Sequence, residues 1–151
     1  MRRDSRLSVA LHILLHMGEM EHVVTSEQLG PMLKMNPVLV RRTIAGLRDA
    51  GIVRSEKGHG GGWTLARGLE AVTLADVYDA LGMPPLFSIG PREERPRCLL
   101  EQAVNRAVGS ALEEAEALLL ARLRSISVME LVVGGPREHA RRARKGKHVH
   151  A

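Results

Sequence analysis

The chain has almost no aromatic side chains: Trp63, Tyr78 and Phe87 are the three, 2% of 151 residues. Its core must therefore be aliphatic, built from Leu, Val, Ile, Ala and Met, which suits packed helices better than a β-sandwich. Cysteine is nearly absent too. Cys98 is the one thiol, which excludes an intrachain disulfide framework and any all-cysteine metal site within one subunit. No apolar run approaches the roughly 18 residues that a bilayer-spanning helix requires. The N-terminus, with Asp4 close to Arg2 and Arg3, has neither the apolar segment nor the cleavage site of a secretion signal, so the expectation is a cytoplasmic protein without membrane contact.

With 44% hydrophobic residues, the chain has enough apolar material for one core plus an extension. Its net charge of +5 is unevenly spread. Residues 1–67 hold ten Lys and Arg against six Asp and Glu, residues 68–136 hold six against ten, and residues 137–151 hold six against one. A basic first half beside an acidic second half assigns polyanion binding to the first.

Apolar spacing and capping residues predict the elements. Asp4 or Ser5 caps a first helix running to about Met17, with Leu7, Leu11, Leu14 and Leu15 on one stripe and Gly18 ending it. Thr25-Ser26-Glu27-Gln28 starts a short second helix through about Leu33, of positional role. Asn36 caps and Pro37 opens a third, which buries Val40, Ile44 and Leu47 and stops at Gly51. Its other side carries Val38, Arg41, Arg42 and Arg48 with only Asp49 nearby, which suits a helix lying in a DNA groove, where guanidinium groups bond guanine or clamp phosphate. A solvated basic face is the plain alternative.

Next comes Lys57-Gly58-His59-Gly60-Gly61-Gly62-Trp63, a basic glycine-rich tip between β-type runs at 52–56 and 63–66. Its glycines tolerate φ > 0 and close backbone approach, while Lys57 and His59 supply donors. Two short helices joined by a tight turn, then this hairpin, follow the order of a winged helix-turn-helix. Thr73 caps a further helix with Val77 and Leu81 inward, closed at Gly82, and a proline-rich stretch at 83–96 follows. From about Arg97 to Arg124, Leu100, Val104, Ala107, Ala111, Ala115 and Leu118 form a stripe too long for so small a body to cover, as in a dimerisation helix. Ser127 to Val133 reads as a terminal helix folding back on the core. The expected organisation is a mainly α fold with a small β-hairpin wing: a winged helix-turn-helix domain (1–82), a connector (83–96), a dimerisation helix with its terminal helix (97–133) and a basic disordered tail (134–151).

The runs Pro37-Val38-Leu39-Val40-Arg41-Arg42, Ala50-Gly51-Ile52-Val53-Arg54-Ser55 and Lys57 through Arg67 resemble the Rrf2 family of bacterial transcription regulators, as do Val72-Thr73-Leu74-Ala75-Asp76-Val77 and Ser127-Val128-Met129-Glu130-Leu131. The resemblance spans nearly the whole chain, and the glycine-rich wing is its most specific part. It implies a DNA-binding regulator, a repressor acting as a homodimer, with two recognition helices in successive major grooves of a palindromic operator and wings in the adjacent minor grooves. It carries over Asn36, Val38, Arg41, Arg42 and Lys57 as DNA-contacting residues; with His59 and Gly60 completing the wing tip and Ser26 of the second helix they make up the candidate DNA-binding set. Arg41 departs from the glutamate that some cluster-sensing members carry there, so a different operator preference is expected.

Cluster-binding members also carry three cysteines before the dimerisation helix. Here that region has Cys98 alone, with Glu101 three residues later, and one thiolate holds no iron–sulfur centre; even two subunits sharing a site would supply only two. No cofactor is therefore expected. Cys98, near a helix start and close to Arg95 and Arg97, is the redox or effector candidate, an ordinary structural thiol or a small-molecule signal being the alternatives. Catalysis is not expected: the seven histidines are scattered, and no nucleophile motif or carboxylate pair links them. His12 and His16 stand one helical turn apart, a metal-competent spacing with no third ligand apparent, so packed or surface histidines are the simpler reading. A winged-helix adaptor that docks a protein instead of DNA is the competing function.

Overall fold

Four apolar positions at three- and four-residue spacing, Ala10, Ile13, Leu14 and Met17, form the buried stripe of α1 (Arg6–Glu19) in the computed structural model, which describes residues 3–133. The expected tail at 134–151 lies outside the described residues. Of the four leucines expected on that stripe, only Leu14 is buried, and Leu7, Leu11 and Leu15 sit at the margin of the core. The helix carries two adjacent apolar stripes, and periodicity alone does not choose which one the rest of the chain covers. Gly18 does not end the helix. A Cβ there would stand 2.6 Å from Leu69 Cδ1, so the missing side chain makes room for the 3-10 turn Leu69–Ala71. Asp4 supplies the first-turn acceptor: its Oδ1 accepts from the Arg6 amide at 3.0 Å, while Ser5 makes no side-chain cap bond.

The next elements follow the expected order: α2 (Ser26–Leu33), α3 (Pro37–Asp49), the antiparallel strands β1 (Val53–Glu56) and β2 (Gly62–Leu65), α4 (Leu74–Ala80), α5 (Leu99–Arg124) and α6 (Val128–Val133). Strand register runs from Val53 opposite Leu65 to Glu56 opposite Gly62. Two capping boxes start α2 and α4: Thr25 with Gln28, and Thr73 with Asp76.

One aliphatic core joins α1, α2, α3 and the base of the hairpin, and Val128 of α6 is fully buried in it. The Val128 amide donates to Val72 O at 2.8 Å and the Leu74 amide to Ile126 O at 3.0 Å, so the chain beyond α5 returns to the first core. By contrast, α5 buries no residue. It packs on α4, its Leu123 meets the edge of the core, and it holds the connector by side chains: Asn105 Nδ2 donates to Glu93 O at 2.8 Å, Gln102 Nε2 donates to Pro96 O at 3.0 Å, and Glu101 accepts from the Arg92 guanidinium at 3.0 Å. At the other end of the connector, the buried Tyr78 hydroxyl donates to Pro84 O at 2.6 Å, and burial pushes the phenol above its usual pKa.

Candidate nucleic-acid interface

The turn between α2 and α3 is set by small local requirements. Lys34 closes α2 in the left-handed region, φ 54°, and its amide donates to Pro31 O at 3.2 Å. Gly30 faces Met35 O and the Pro37 ring, which would lie 2.9 and 3.0 Å from an added Cβ, so the turn carbonyl and the proline that opens α3 sit against α2 where no side chain has room. Asn36 Oδ1 accepts from the Val38 amide at 2.8 Å and Pro37 occupies the first turn, which fixes where α3 begins.

Along α3, Val40, Ile44 and Leu47 point into the core, each gaining about 1.5–3 kcal/mol of transfer free energy. Thr43 is buried beside them, its hydroxyl donating to Leu39 O at 2.9 Å. The same periodicity leaves Val38, Leu39, Arg41 and Arg42 on the outside, Val38 being 56% exposed. The expectation that only Asp49 tempers this face is corrected: Glu27 of α2 also reaches it, with Oε1 2.7 Å from Arg41 Nη2. Arg48 pairs with Asp49 at 3.0 Å and Arg54 of β1 with Glu56 at 3.2 Å. Among the described residues, Arg42 and Lys57 have no ion-pair partner.

The hairpin tip uses its glycines for two purposes. Gly58 and Gly60 take φ of 98° and 78°, whereas Gly61 and Gly62 are there for space. An added Cβ at Gly61 would meet Gly58 O at 2.9 Å, and one at Gly62 would collide with Val24 O. That second contact exists because Trp63 and Val24 bond reciprocally, Trp63 N to Val24 O at 2.8 Å and Val24 N to Trp63 O at 3.0 Å. Val24 immediately precedes the Thr25 cap of α2, so the base of the hairpin is tied to the start of the helix-turn-helix, while β1 packs on α3.

Of the eight candidate DNA contacts, Asn36, Val38, Arg41 and Arg42 lie exposed at the start of α3, and Lys57, His59 and Gly60 at the exposed tip. Ser26 is separated from them: it is 2% exposed, enclosed in the first turn of α2, and its hydroxyl is not on the outer surface. Asn36 already uses its oxygen as a cap, leaving its amide NH2 for a partner. Sequence reasoning missed Glu27 as a neighbour of Arg41, since nothing in a 14-residue separation announces the meeting.

Cys98 lies exposed at the N-cap of α5 without a side-chain cap bond. Among the described residues, no group of three or more His, Cys, Asp or Glu converges to hold a metal. No described helix is long and apolar enough to cross a membrane.

The profile of the Rrf2 family, described as iron-dependent transcriptional regulators, matches residues 3–134. The provisionally named HTH-type transcriptional regulator YwnA of Bacillus subtilis (strain 168) is 29% identical over 130 residues, 85% of this chain and 96% of its own. A crystal structure provisionally described as that of a DNA-binding protein superposes with a TM-score of 0.69 at 28% identity, covering 85% of this chain and 99% of the other. At the level of fold alone, CymR, the global cysteine regulator of B. subtilis, gives a TM-score of 0.59 at 19% identity, covering 89% and 98%. The family's iron dependence does not fit a cluster on this donor set, in which a single exposed thiol stands alone.

Proposed function

The chain belongs to the Rrf2 family of helix-turn-helix transcriptional regulators, and from that premise we propose that it is a cytoplasmic repressor that binds a palindromic operator as a homodimer, without an iron–sulfur cluster. The observation that carries the reading is the exposed start of α3, with Val38, Arg41 and Arg42 outward, packed against a hairpin whose tip carries Lys57 and His59. In this reading α3 enters the major groove, where Arg42 and Arg41 bond base edges or phosphates and Val38 offers an apolar contact to thymine methyl groups. Lys57 and His59 reach the neighbouring minor groove, and the absence of side chains at Gly58 and Gly60 lets the backbone follow.

Two copies meet through α5. The helix is roughly 39 Å long at 1.5 Å per residue, and Leu100, Val104 and Leu118 on its expected stripe are 79%, 59% and 74% exposed. A second copy of the same helix is an occupant of matching length and chemistry, and a two-fold axis there would set the half-site spacing of the operator. Regulation then rests on a small-molecule or thiol signal, with Cys98 as the redox candidate.

In-vitro selection from random duplex, followed by binding of the selected DNA to Arg41→Ala and Lys57→Ala variants, tests the reading. A palindrome bound in a salt-dependent manner and weakened by both substitutions is expected. No enriched sequence, together with a stable protein complex on pull-down, would replace it with the adaptor function.

A further inference from the structure

Neither α3 nor the hairpin tip involves His12 and His16. They stand one turn apart on α1, with their Nε2 atoms 3.2 Å apart, ring centroids 4.9 Å apart and ring planes inclined by 41°. A shared N–H···N hydrogen bond accounts for that approach, and so does a common ion. At a metal–nitrogen bond of about 2.0–2.1 Å, two donors at a tetrahedral angle lie roughly 3.3–3.4 Å apart. A second observation concerns the far side of His16, whose Nδ1 is buried and has no hydrogen-bond partner. The nearest acid is Glu19, with Oε2 3.9 Å from that nitrogen, beyond hydrogen-bond reach and within ion-pair reach.

We propose that His12 and His16 bind a divalent transition ion of imidazole preference, such as zinc, nickel or copper(II), through their two Nε2 atoms. Ligation by both Nε2 lone pairs places a proton on each Nδ1, and the His16 Nδ1–H then faces the Glu19 carboxylate, which draws in and orients the ring as outer-shell acids do for metal-bound histidines. No third protein donor converges among the described residues, so water fills the remaining positions and the site stays open. His12 borders a groove between α1 and α6 lined by Leu7, Leu11, Leu15 and Leu131, which leaves room for that water. Cys98 plays no part.

The test is competition of the full chain against a chromophoric chelator for nickel and for zinc, repeated with His12→Ala, His16→Gln, Cys98→Ser and a variant lacking the three tail histidines His139, His148 and His150. One ion per chain is expected, at least about tenfold weaker in either α1 variant and unchanged in the Cys98 and tail variants. Zinc should move the Nε2 nitrogen resonances of both His12 and His16, and circular dichroism confirms that each variant keeps its helices. Binding within tenfold of the parent chain in both α1 variants, loss of the ion in the tail or Cys98 variants, or unmoved Nε2 resonances would overturn the proposal.

Discussion

Glu27 holds Arg41: the carboxylate of the second helix lies 2.7 Å from the guanidinium of the third, across 14 residues of sequence, with both side chains more than half exposed. An exposed pair of this kind adds only about 0–1 kcal/mol to stability. Its greater effect is on what Arg41 is free to do. A duplex approaching α3 must compete with Glu27 for the guanidinium and also bring phosphate charge towards a carboxylate. Glu27→Gln should therefore tighten duplex binding by about three- to tenfold, the equivalent of about 0.7–1.4 kcal/mol, with unchanged thermal stability. Fluorescence anisotropy at fixed salt measures it; equal or weaker binding would show that Glu27 positions Arg41 for DNA instead of withholding it.

Lys57 has no ion-pair partner among the described residues, so its charge is available in full to a phosphate. Removing it as Lys57→Ala should lower the slope of log K against log salt by about one unit and weaken operator and random duplex alike. Arg42→Ala, by contrast, should relax discrimination between operator variants, at a cost of about 1–3 kcal/mol for the cognate sequence. A salt titration across both duplexes separates the two, and an unchanged slope for Lys57→Ala would take the tip away from the phosphates.

The two kinds of wing glycine separate in the same manner. Gly60 has a φ of 78° and open space around it, so Gly60→Ala costs only the left-handed backbone, about 1–2 kcal/mol. Gly62 has an ordinary φ, but its substituent would strike Val24 O and lie 2.9 Å from Val23 Cγ1. Gly62→Ala should therefore cost more in urea denaturation and should break the Val24–Trp63 pairing, visible as faster amide exchange at both residues. The reverse ranking would mean that the hairpin base yields more readily than its tip.

These glycines mark where the sequence was legible and where it was not. Caps, proline and breaks are local signals, and Thr25, Asn36, Pro37 and Thr73 each start a helix where their chemistry requires. The arginine face of α3 followed from period alone, because Val40, Ile44 and Leu47 left it no other side. Three features depended on contacts between distant segments and carried no local signal. Gly18 reads as a helix stop until Leu69 arrives over it, Ser26 reads as a surface hydroxyl until the core closes around it, and Arg41 reads as unpaired until Glu27 reaches across. Lys34 at φ 54° is a fourth case, since a lysine gives no hint of a left-handed cap.

The first turn of α1 gives the protein an acid-sensitive element. Arg6 donates to Asp4 from its guanidinium, at 2.6 Å from Nη2 to Oδ2, and from its amide, and these bonds hold the carboxyl down at about 2. Glu130 is lowered by the same kind of contact, the Ser127 amide donating to it at the start of α6. An unfolded aspartate titrates near 3.9, so the native state favours the ionised form. That contribution is present above about pH 4 and is lost as pH falls through about 2. Stability measured by urea at successive pH values should decline over that window, and Asp4→Asn should flatten the decline; parallel curves for the two proteins would mean the bond does not outlast solvent competition.

The longest helix makes the most demanding prediction, because α5 buries nothing although it carries Leu99, Leu100, Val104 and Leu118, all more than half exposed. So extended an apolar surface is seldom left uncovered in water, and a standard interface removes about 800 Å² from each partner, within reach of a helix of this length. At the middle of the stripe stand Ala107, Ala111 and Ala115, small enough for two backbones to come close. In the proposed dimer a charge introduced there as Ala111→Glu would meet its own copy across the two-fold axis, so the penalty would count twice, while the monomer, in which Ala111 is already exposed, should fold as before. Sedimentation should find two chains per particle for the parent protein and one for Ala111→Glu, at equal helix content. Operator affinity should fall sharply in the variant because each half-site is then bound alone, whereas binding to random duplex, carried by charge, should change little. A variant that remains paired would move the interface off this stripe.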